Sequence, residues 1–599
     1  MGFVERVGSE IAYLRGALRT LSKVTPIAKD TNRTYPDVAD ALAATHGDKA
    51  ALVSDRESFS YRAYNARANR YARWAAANGI AKGDTVALLM PNRPEYLAIW
   101  LGIARAGGVT ALLNTNLTGP ALGHCINIVH AKHIIVEASL VDAFKTAETH
   151  LDPGPKLWCH GGAPAGWERI DTAVDRLSDE PIPAEERPKL TNNDRCLYIY
   201  TSGTTGLPKA ANINHYRVQG IMYAFNAAMA MSQHDRIYVC LPLYHTSGGV
   251  LASGAALTAG GTVIIREKFS ATQFWDDIVD NECTVFQYIG ELCRYLLNSP
   301  THPKETRHRL RLASGNGLRP DIWQDFQTRF RIPKILEWYG ATEGNAVLFN
   351  FDGKVGSVGR IPKWAERRFL TEVVRFDLET EQPVRGADGF CIKCAPGEVG
   401  EMISQIVNDP LRPSQRFEGY ADSGATQKKI MTDVFAKGDR WFRTGDLMRK
   451  DAHGYFYFID RIGDTFRWKG ENVSTSEVSE AITIFPGVKE ANVYGVKIPN
   501  TEGRAGMVAL VVDEGWDPEG FYTHVCRQLP AYARPVIVRI QREIDATSTF
   551  KQRKVDLVKE GFDPALIADA LYFLHPGRQA YVPLTAALYG DIVSGRLKL

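Results

Sequence analysis

Three short runs in the first quarter of the chain are apolar almost without interruption: 85–90 (Thr-Val-Ala-Leu-Leu-Met), 109–113 (Val-Thr-Ala-Leu-Leu) and 133–136 (His-Ile-Ile-Val). Strands covered on both faces read this way, whereas strands with one wet face alternate. Between the first two runs, Asn92 stands where it would cap a helix over about 94–106, so strand, helix and strand form a crossover unit. Upstream, 52–53 and 58–61 suggest a hairpin followed by a helix over 61–78. The rhythm resumes after a further buried strand at 196–200. Strands are expected at 262–265, 284–288, 310–313 and 335–338, and helices at 271–281, 290–297 and 320–330. Alternation of this kind predicts an α/β body with covered, parallel-type sheets.

From about residue 371 the apolar runs shorten and begin to alternate between Gly/Pro turns, as in 373–376, 400–403 and 441–443. A small β-barrel-like or antiparallel subdomain over about 371–459 follows. Asp460-Arg461-Ile462-Gly463-Asp464 then breaks the pattern with charge and a glycine, a hinge over 460–464. Beyond it, strands at 488–496, 507–512 and 536–540, with helices near Ser476 and Phe521, predict a smaller, mobile α+β unit over 465–599. The organisation read is therefore an N-terminal domain of 1–459, the hinge, and a C-terminal domain whose extension occupies 552–599. There are no internal repeats.

Composition changes this picture little. At 599 residues the chain exceeds one core, and length alone suggests about four domain-sized units. A net charge of +3 argues against a nucleic-acid surface. The nine cysteines lie mostly in apolar runs and read as reduced, as in a cytoplasmic protein. Residues 237–265 carry no Asp, Glu, Lys or Arg, enough length to span a bilayer, but Pro242, His245 and five glycines favour a buried helix leading into a strand. Residues 2–23 are too charged for a cleaved signal. They set Val4, Ile11, Leu14, Leu18 and Leu21 near helical spacing among Arg6, Arg15, Arg19 and Lys23. Such a helix lies on an anionic membrane surface or packs on the body; both readings stay open.

The candidate chemistry begins right after the strand at 196–200. Thr201-Ser202-Gly203-Thr204-Thr205-Gly206-Leu207-Pro208-Lys209 supplies turning backbone N–H groups, hydroxyls and a cation, a set suited to phosphate oxygens. It is not a Walker A loop: Leu-Pro separates Gly206 from Lys209, and Ala210 follows the lysine. An ordinary Ser/Gly loop is the alternative. Four later stretches add to it. Trp338-Tyr339-Gly340-Ala341-Thr342-Glu343-Gly344 follows a strand and places an aromatic face, a hydroxyl and a carboxylate at the ligand-binding edge of an α/β sheet. Thr444-Gly445-Asp446 is a turn with a carboxylate suited to two ribose hydroxyls. Asp460-Arg461 through Trp468-Lys469-Gly470-Glu471-Asn472-Val473 is polar and glycine-bearing, and Thr549-Phe550-Lys551 presents a lysine.

In this order, these stretches resemble the adenylate-forming (AMP-binding) superfamily across about 36–551. The segments 287–297 and 466–475, with the tail 571–584, resemble more closely its fatty acid transport protein/very-long-chain acyl-CoA synthetase branch. The resemblance implies a two-step ligase in which a carboxylate and ATP give acyl-AMP and pyrophosphate, and coenzyme A then takes the acyl group. It implies that Thr201–Gly206 and Lys209 hold the β- and γ-phosphates, with Mg²⁺ on Glu343 and Thr204. Thr342 donates to the α-phosphate, and Tyr339, Gly340 and Ala341 with Gly315-Asn316-Gly317 form the adenine pocket. Asp446 and Arg461 take the ribose, Lys469 and Gly470 the CoA side, and His245 sits beside the acyl group. Lys551 bridges carboxylate and α-phosphate in the adenylation transition state. Duller roles stand beside these: core packing for Tyr339, a packed His245, a turn-forming Asp446, a surface ion pair for Arg461, and Lys554 in place of Lys551. The family's usual Asp or Lys at the hinge is Gly463 here, and Gly463 and Asp464 both remain candidate pivots.

The leading expectation is a long- or very-long-chain fatty acid:CoA ligase, compatible with a homodimer and with peripheral contact at the inner face of the cell membrane. A CoA ligase for a bile or aromatic acid, an acyl-AMP ligase serving a carrier thiol, and a membrane-associated uptake protein are the alternatives.

Overall fold

The computed structural model describes residues 3–597 except 163, 202–206, 379, 410–411, 470, 500, 502, 545–551 and 553, with side chains from Arg6 onward. The chain divides into two compact units. One comprises Met1–Pro362, Gln405–Thr432 and Arg440–Phe442, the other Lys363–Ser404, Asp433–Asp439 and Arg443–Leu599.

The first unit holds two large sheets. β1 (Ala50–Val53) and β2 (Ser58–Ser60) make the expected hairpin. The next seven strands are β3 (Thr85–Leu89), β4 (Val109–Leu112), β5 (Ala131–Glu137), β6 (Lys156–His160), β7 (Glu168–Arg169), β8 (Arg195–Thr201) and β9 (Lys209–Asn214). They form one sheet in the order β7-β6-β5-β3-β4-β8-β9, parallel except for the antiparallel pair β8/β9. Every residue of β3 and of β4 is buried, which is why their sequences show no alternation. The second sheet uses β10 (Arg236–Val239), β11 (Thr262–Ile265), β12 (Val285–Ile289), β13 (Leu312–Asn316), β14 (Ile335–Gly340) and β15 (Val347–Phe349). Its order is β15-β14-β13-β12-β10-β11-β1-β2, with antiparallel strands only at the two ends. A continuous core that includes Leu101, Val239, Leu336 and Trp338 fills this unit.

Three local expectations need correction. Asn92 does not cap the helix Pro94–Arg105, whose N-cap is Arg93. Its amide instead donates to Leu241 O at 2.9 Å and accepts from Leu243 N at 2.7 Å, so distant backbone outbids the local cap. Second, 237–265 is strand, helix and strand, and its helical part starts as a π-helix, Thr246–Ala252. Wide winding brings the backbones together: a Cβ on Gly249 would lie 2.0 Å from Leu243 O. Third, β13 runs later than expected, to Asn316. No helix among the described residues is long and apolar enough to cross a membrane.

The N-terminal helix α1 (Phe3–Lys29) packs on the body along one face. Ser9, Tyr13, Gly16 and Ile27 face the body, with the Tyr13 ring edge-on to Phe351 at 5.8 Å. On the opposite side Val7, Ile11, Leu14 and Leu18 are 41–63% exposed.

In the second unit, Thr371–Asp377, 399–404, 443–450 and Tyr455–Arg461 run as antiparallel strands of one sheet. A five-stranded sheet follows: Val488–Val496, Ala505–Val512, Ile537–Ile540, Ala570–His575 and Ala580–Pro583. Its last two strands come from the tail, and Phe573 pairs with Ile537 in the same core as Met507 and Phe521.

Candidate functional site

The phosphate-type stretch joins β8 to β9. Thr201 and Lys209 are direct partners across that antiparallel pair, so the segment is the loop of a hairpin rather than the strand-to-helix turn of a Walker A site. Ser202, Gly203, Thr204, Thr205 and Gly206 lie outside the described residues. A segment from a remote part of the chain is laid along β9: Tyr420 bridges to Ala211, Asn212 N donates to Gly419 O at 3.0 Å, and Ala421 N to Ala210 O at 2.9 Å. Tyr420 is 4% exposed. Its hydroxyl donates to Glu343 Oε1 at 2.6 Å, and Lys209 Nζ stands 5.8 Å from the ring centre. Thr201 lies within hydrogen-bonding reach of the same phenol. Burial and the Glu343 carboxylate push the Tyr420 hydroxyl well above its ordinary pKa, so it remains a donor.

β14 carries Tyr339 and Gly340 to the carboxyl edge of the second sheet, and Ala341, Thr342 and Glu343 turn beyond it, all half-buried. Arg217, in the first turn of the helix His215–Ala228, holds that turn from behind. Its guanidinium donates to Thr342 O at 2.8 Å, to Ala341 O at 3.2 Å and to Gly344 O. Burial lowers the Arg217 pKa, opposed by the charges of Glu343 and Glu418. The Thr342 hydroxyl is 2.9 Å from that of Thr246, the residue after His245. His245 itself is the N-cap of the π-helix, beside the Tyr244 ring.

Gly315 and Asn316 end β13, and Gly317 follows with φ of +81°. A Cβ on Gly290 would fall 1.7 Å from Gly317 O, so only glycine admits this approach. Behind the turn, Glu337 (2% exposed) accepts from Leu318 N at 2.9 Å and from the Tyr288 hydroxyl. Burial pushes its carboxyl up to about 8, although those donors favour the ionised form.

The second unit carries the remaining residues. Asp446 and Arg461 face each other across paired strands. Thr444-Gly445-Asp446, expected as a turn, is strand throughout, because its backbone pairs with the neighbouring strand at Arg461; Gly445, with φ of +79°, only kinks it. The segment is fixed by Thr444 Oγ1 donating to Met402 O at 2.6 Å and by Gly445 N donating to the fully buried Glu401 at 3.3 Å. Glu401 is also gripped by Arg443 at 2.8 Å. Gly463 sits in an exposed turn, and Asp464 is 3.5 Å from Lys554 Nζ. Lys469 is exposed with φ of +52°. Gly470 and Lys551 lie outside the described residues.

Thus Thr201, Lys209, Thr342 and Glu343 share one neighbourhood, linked by residues that the motifs did not name: Tyr420, Arg217 and Thr246. Weak signals existed for two of them. Arg217 is a charged residue in an otherwise core-facing helix, and Tyr420 an aromatic after Glu-Gly in a polar segment. Among the described residues no group of three or more His, Cys, Asp or Glu could hold a metal ion. One carboxylate with a second oxygen to offer fits a hard cation that arrives on nucleotide phosphates.

The sequence pattern of the family described as AMP-binding enzyme matches residues 39–405, and that of the AMP-binding enzyme C-terminal domain matches 477–551. The chain belongs to the AMP-binding enzyme family. It is 42% identical over 558 residues to long-chain fatty acid transport protein 6 of Mus musculus, covering 92% of this chain and 89% of that one. It is likewise 42% identical to long-chain fatty acid transport protein 1 of Homo sapiens, covering 94% and 88%. Among solved structures, ATP-bound MatB from Rhodopseudomonas palustris matches with a TM-score of 0.72 at 25% identity, over 88% of this chain and 98% of that one. A fatty acyl CoA synthetase of Mycobacterium tuberculosis shares the fold, with a TM-score of 0.59 at 24% identity over 88% and 98%.

Proposed function

We propose that the protein joins a long-chain or very-long-chain fatty acid to coenzyme A through an acyl-AMP intermediate. The observation that carries this reading is the 42% identity, across 92% of the chain, with a long-chain fatty acid transport protein. The neighbourhood of Lys209, Thr342 and Glu343 supports it chemically. A fatty-acid carboxylate oxygen attacks the α-phosphorus of ATP, and the bond to pyrophosphate breaks. The CoA sulfur then attacks the acyl carbon, and AMP departs with the electrons of the acyl–oxygen bond. Both steps need placement and charge neutralisation rather than covalent help. In this reading Thr201–Gly206 and Lys209 receive the departing pyrophosphate, Thr342 donates to the α-phosphate, and Tyr339 with Gly315–Gly317 takes adenine. Asp446 and Arg461 take the ribose, and Lys469 with Gly470 the CoA side. His245 borders the acyl group, and Lys551 meets charge as it develops. Mg²⁺ held by Glu343 and Thr204 would neutralise phosphate oxygens.

Pyrophosphate release across a panel of carboxylic acids, with and without CoA, tests the assignment. The expected result is highest turnover with long-chain or very-long-chain fatty acids and acyl-CoA as product. Preference for bile or aromatic acids, or a product that forms only on a carrier-protein thiol, would overturn it.

The reading includes peripheral contact with a membrane. Val7, Ile11, Leu14 and Leu18 line the outer face of α1, with exposed Arg6, Arg15, Lys23 and Lys29 on the same helix, a pairing suited to anionic lipid. Ile11→Ser with Leu18→Ser should abolish co-sedimentation with anionic vesicles while leaving activity in solution intact; undiminished sedimentation of the variant would overturn this part.

A further inference from the structure

Tyr420 stands apart from every motif, yet Lys209, Glu343 and Thr201 all converge on it. Its backbone is tied on both sides: the bridge to Ala211 aligns it with β9, and its N–H donates to Thr426 Oγ1 at 2.9 Å. The ring therefore cannot drift from the start of β9, where Lys209 sits. Its single polar atom is spent on one oxygen of Glu343. No hydrogen bond to the other oxygen, Oε2, occurs among the described residues. Arg217 meanwhile holds the carbonyls of residues 341, 342 and 344, so the backbone that carries Glu343 is fixed independently of its side chain. The division of labour is specific. Arg217 spends its hydrogen bonds on neutral carbonyls and acts on the Glu343 carboxylate only through its charge, while Tyr420, a neutral donor, orients that carboxylate without neutralising it. A lysine or arginine in place of Tyr420 would compete with a divalent ion; a phenol does not.

We propose that Tyr420 is a positioning residue of the adenylating site. Its hydroxyl turns Glu343 Oε2 toward the nucleotide-borne cation, and its ring seats the Lys209 ammonium at a fixed distance from that carboxylate. This rests on the reading of Glu343 as the residue that meets the nucleotide's metal ion. Residues that orient a metal-binding carboxylate through a hydrogen bond commonly change metal affinity by about tenfold or more when altered.

The test uses the full chain with Mn²⁺ as the probe, counted by its free-ion paramagnetic resonance signal in the presence of a non-hydrolysable ATP analogue. Tyr420→Phe keeps the ring on Lys209 and removes the hydroxyl. Its Mn²⁺ affinity should fall about tenfold, with analogue binding in EDTA unchanged. Glu343→Gln should lose at least as much, and Tyr420→Phe in the Glu343→Gln background should lose nothing more. That non-additivity separates orientation of Glu343 from general packing. Wild-type Mn²⁺ affinity in folded Tyr420→Phe, or fully additive losses in the double variant, would overturn the proposal. If Tyr420→Phe does not fold, Thr426→Val, which releases the Tyr420 backbone, should show a smaller loss of the same kind, and wild-type affinity in it counts against the proposal. The two readings fail separately. A wild-type chain that never exchanges pyrophosphate with any acid defeats the ligase reading, whereas normal exchange with unchanged Mn²⁺ affinity in Tyr420→Phe defeats only this one.

Discussion

Two buried glutamates, one in each unit, stand behind segments that carry candidate nucleotide contacts, and they are stabilised by opposite means. Glu401 is fully buried, accepts Gly445 N from the strand segment Thr444–Asp446, and has the Arg443 guanidinium against it at 2.8 Å. Glu337 accepts Leu318 N from the end of the Gly315–Gly317 turn, but its other partner is a phenol, Tyr288, and no cation answers it among the described residues. A carboxylate taken from water needs a counter-charge or a proton. Glu401 has the first. Glu337, pushed up to about 8, takes the second. One segment therefore depends on an ion pair and the other on a proton, so the two regions should respond differently to substitution and to pH.

The largest effect is expected from Arg443→Met. It leaves Glu401 buried beside the Thr444–Asp446 segment without its cation, which costs about 3–5 kcal/mol. Denaturant unfolding should show that loss, and Arg443→Met with Glu401→Gln should recover most of it, because the uncompensated charge is then gone. If the single variant is as stable as the wild type, the ion pair is not what holds the strand segment around Asp446.

How much of this was legible beforehand depends on how far apart the cooperating residues lie. The covered strands declared themselves because burial on both faces leaves uniform apolar runs, as at Val86–Leu89. Motif residues could be named as candidates because each motif is a continuous stretch beside one strand: Thr342 and Glu343 come just after β14, and Lys209 begins β9. The supports were not legible. Tyr420 lies 77 residues from Glu343 in sequence, and an aromatic after Glu-Gly in a polar segment is too weak a local mark to connect the two. Arg443 reads as one charge in an alternating strand until Glu401 is seen opposite it. Asn92 shows the converse error: a good local capping candidate was claimed by Leu241 and Leu243, which only the fold brings near. The tail strands at 570–583 escaped notice because Ala570–His575 pairs with Ile537–Ile540, far back in the sequence, and Ala580–Pro583 joins the sheet only through Ala570–His575.

The pH response sharpens the contrast at a smaller scale. Glu337 has a higher pKa in the folded protein than in the unfolded chain, where a glutamate titrates near 4.3. Between these values the folded state keeps a proton that the unfolded state has released. Its contribution is therefore full below the unfolded pKa, declines as pH rises, and is gone above about 8. One linked proton gives a slope of about 1.4 kcal/mol per pH unit. Between pH 6 and 7.5, wild-type stability should fall relative to Glu337→Gln, whose amide is neutral throughout. Parallel pH profiles for the two proteins would show that Glu337 is not the proton-holding group.

The finest distinction is Tyr288→Phe. The phenol donates to Glu337 and so favours its ionised form; removing it has two consequences of opposite visibility. Stability near pH 6 should drop by about 1 kcal/mol, the ordinary value of a lost buried hydrogen bond. The pH at which the Glu337 contribution disappears should move upward, because the carboxylate has lost a donor that helped it ionise. Arg443 offers no such behaviour, since removing a cation and removing a neutral donor differ in kind: the first strands a charge, the second makes the proton harder to lose. A Tyr288→Phe profile whose inflection stays at the wild-type pH would mean that the backbone N–H of Leu318, rather than the phenol, governs the carboxyl group behind the Gly315–Gly317 turn.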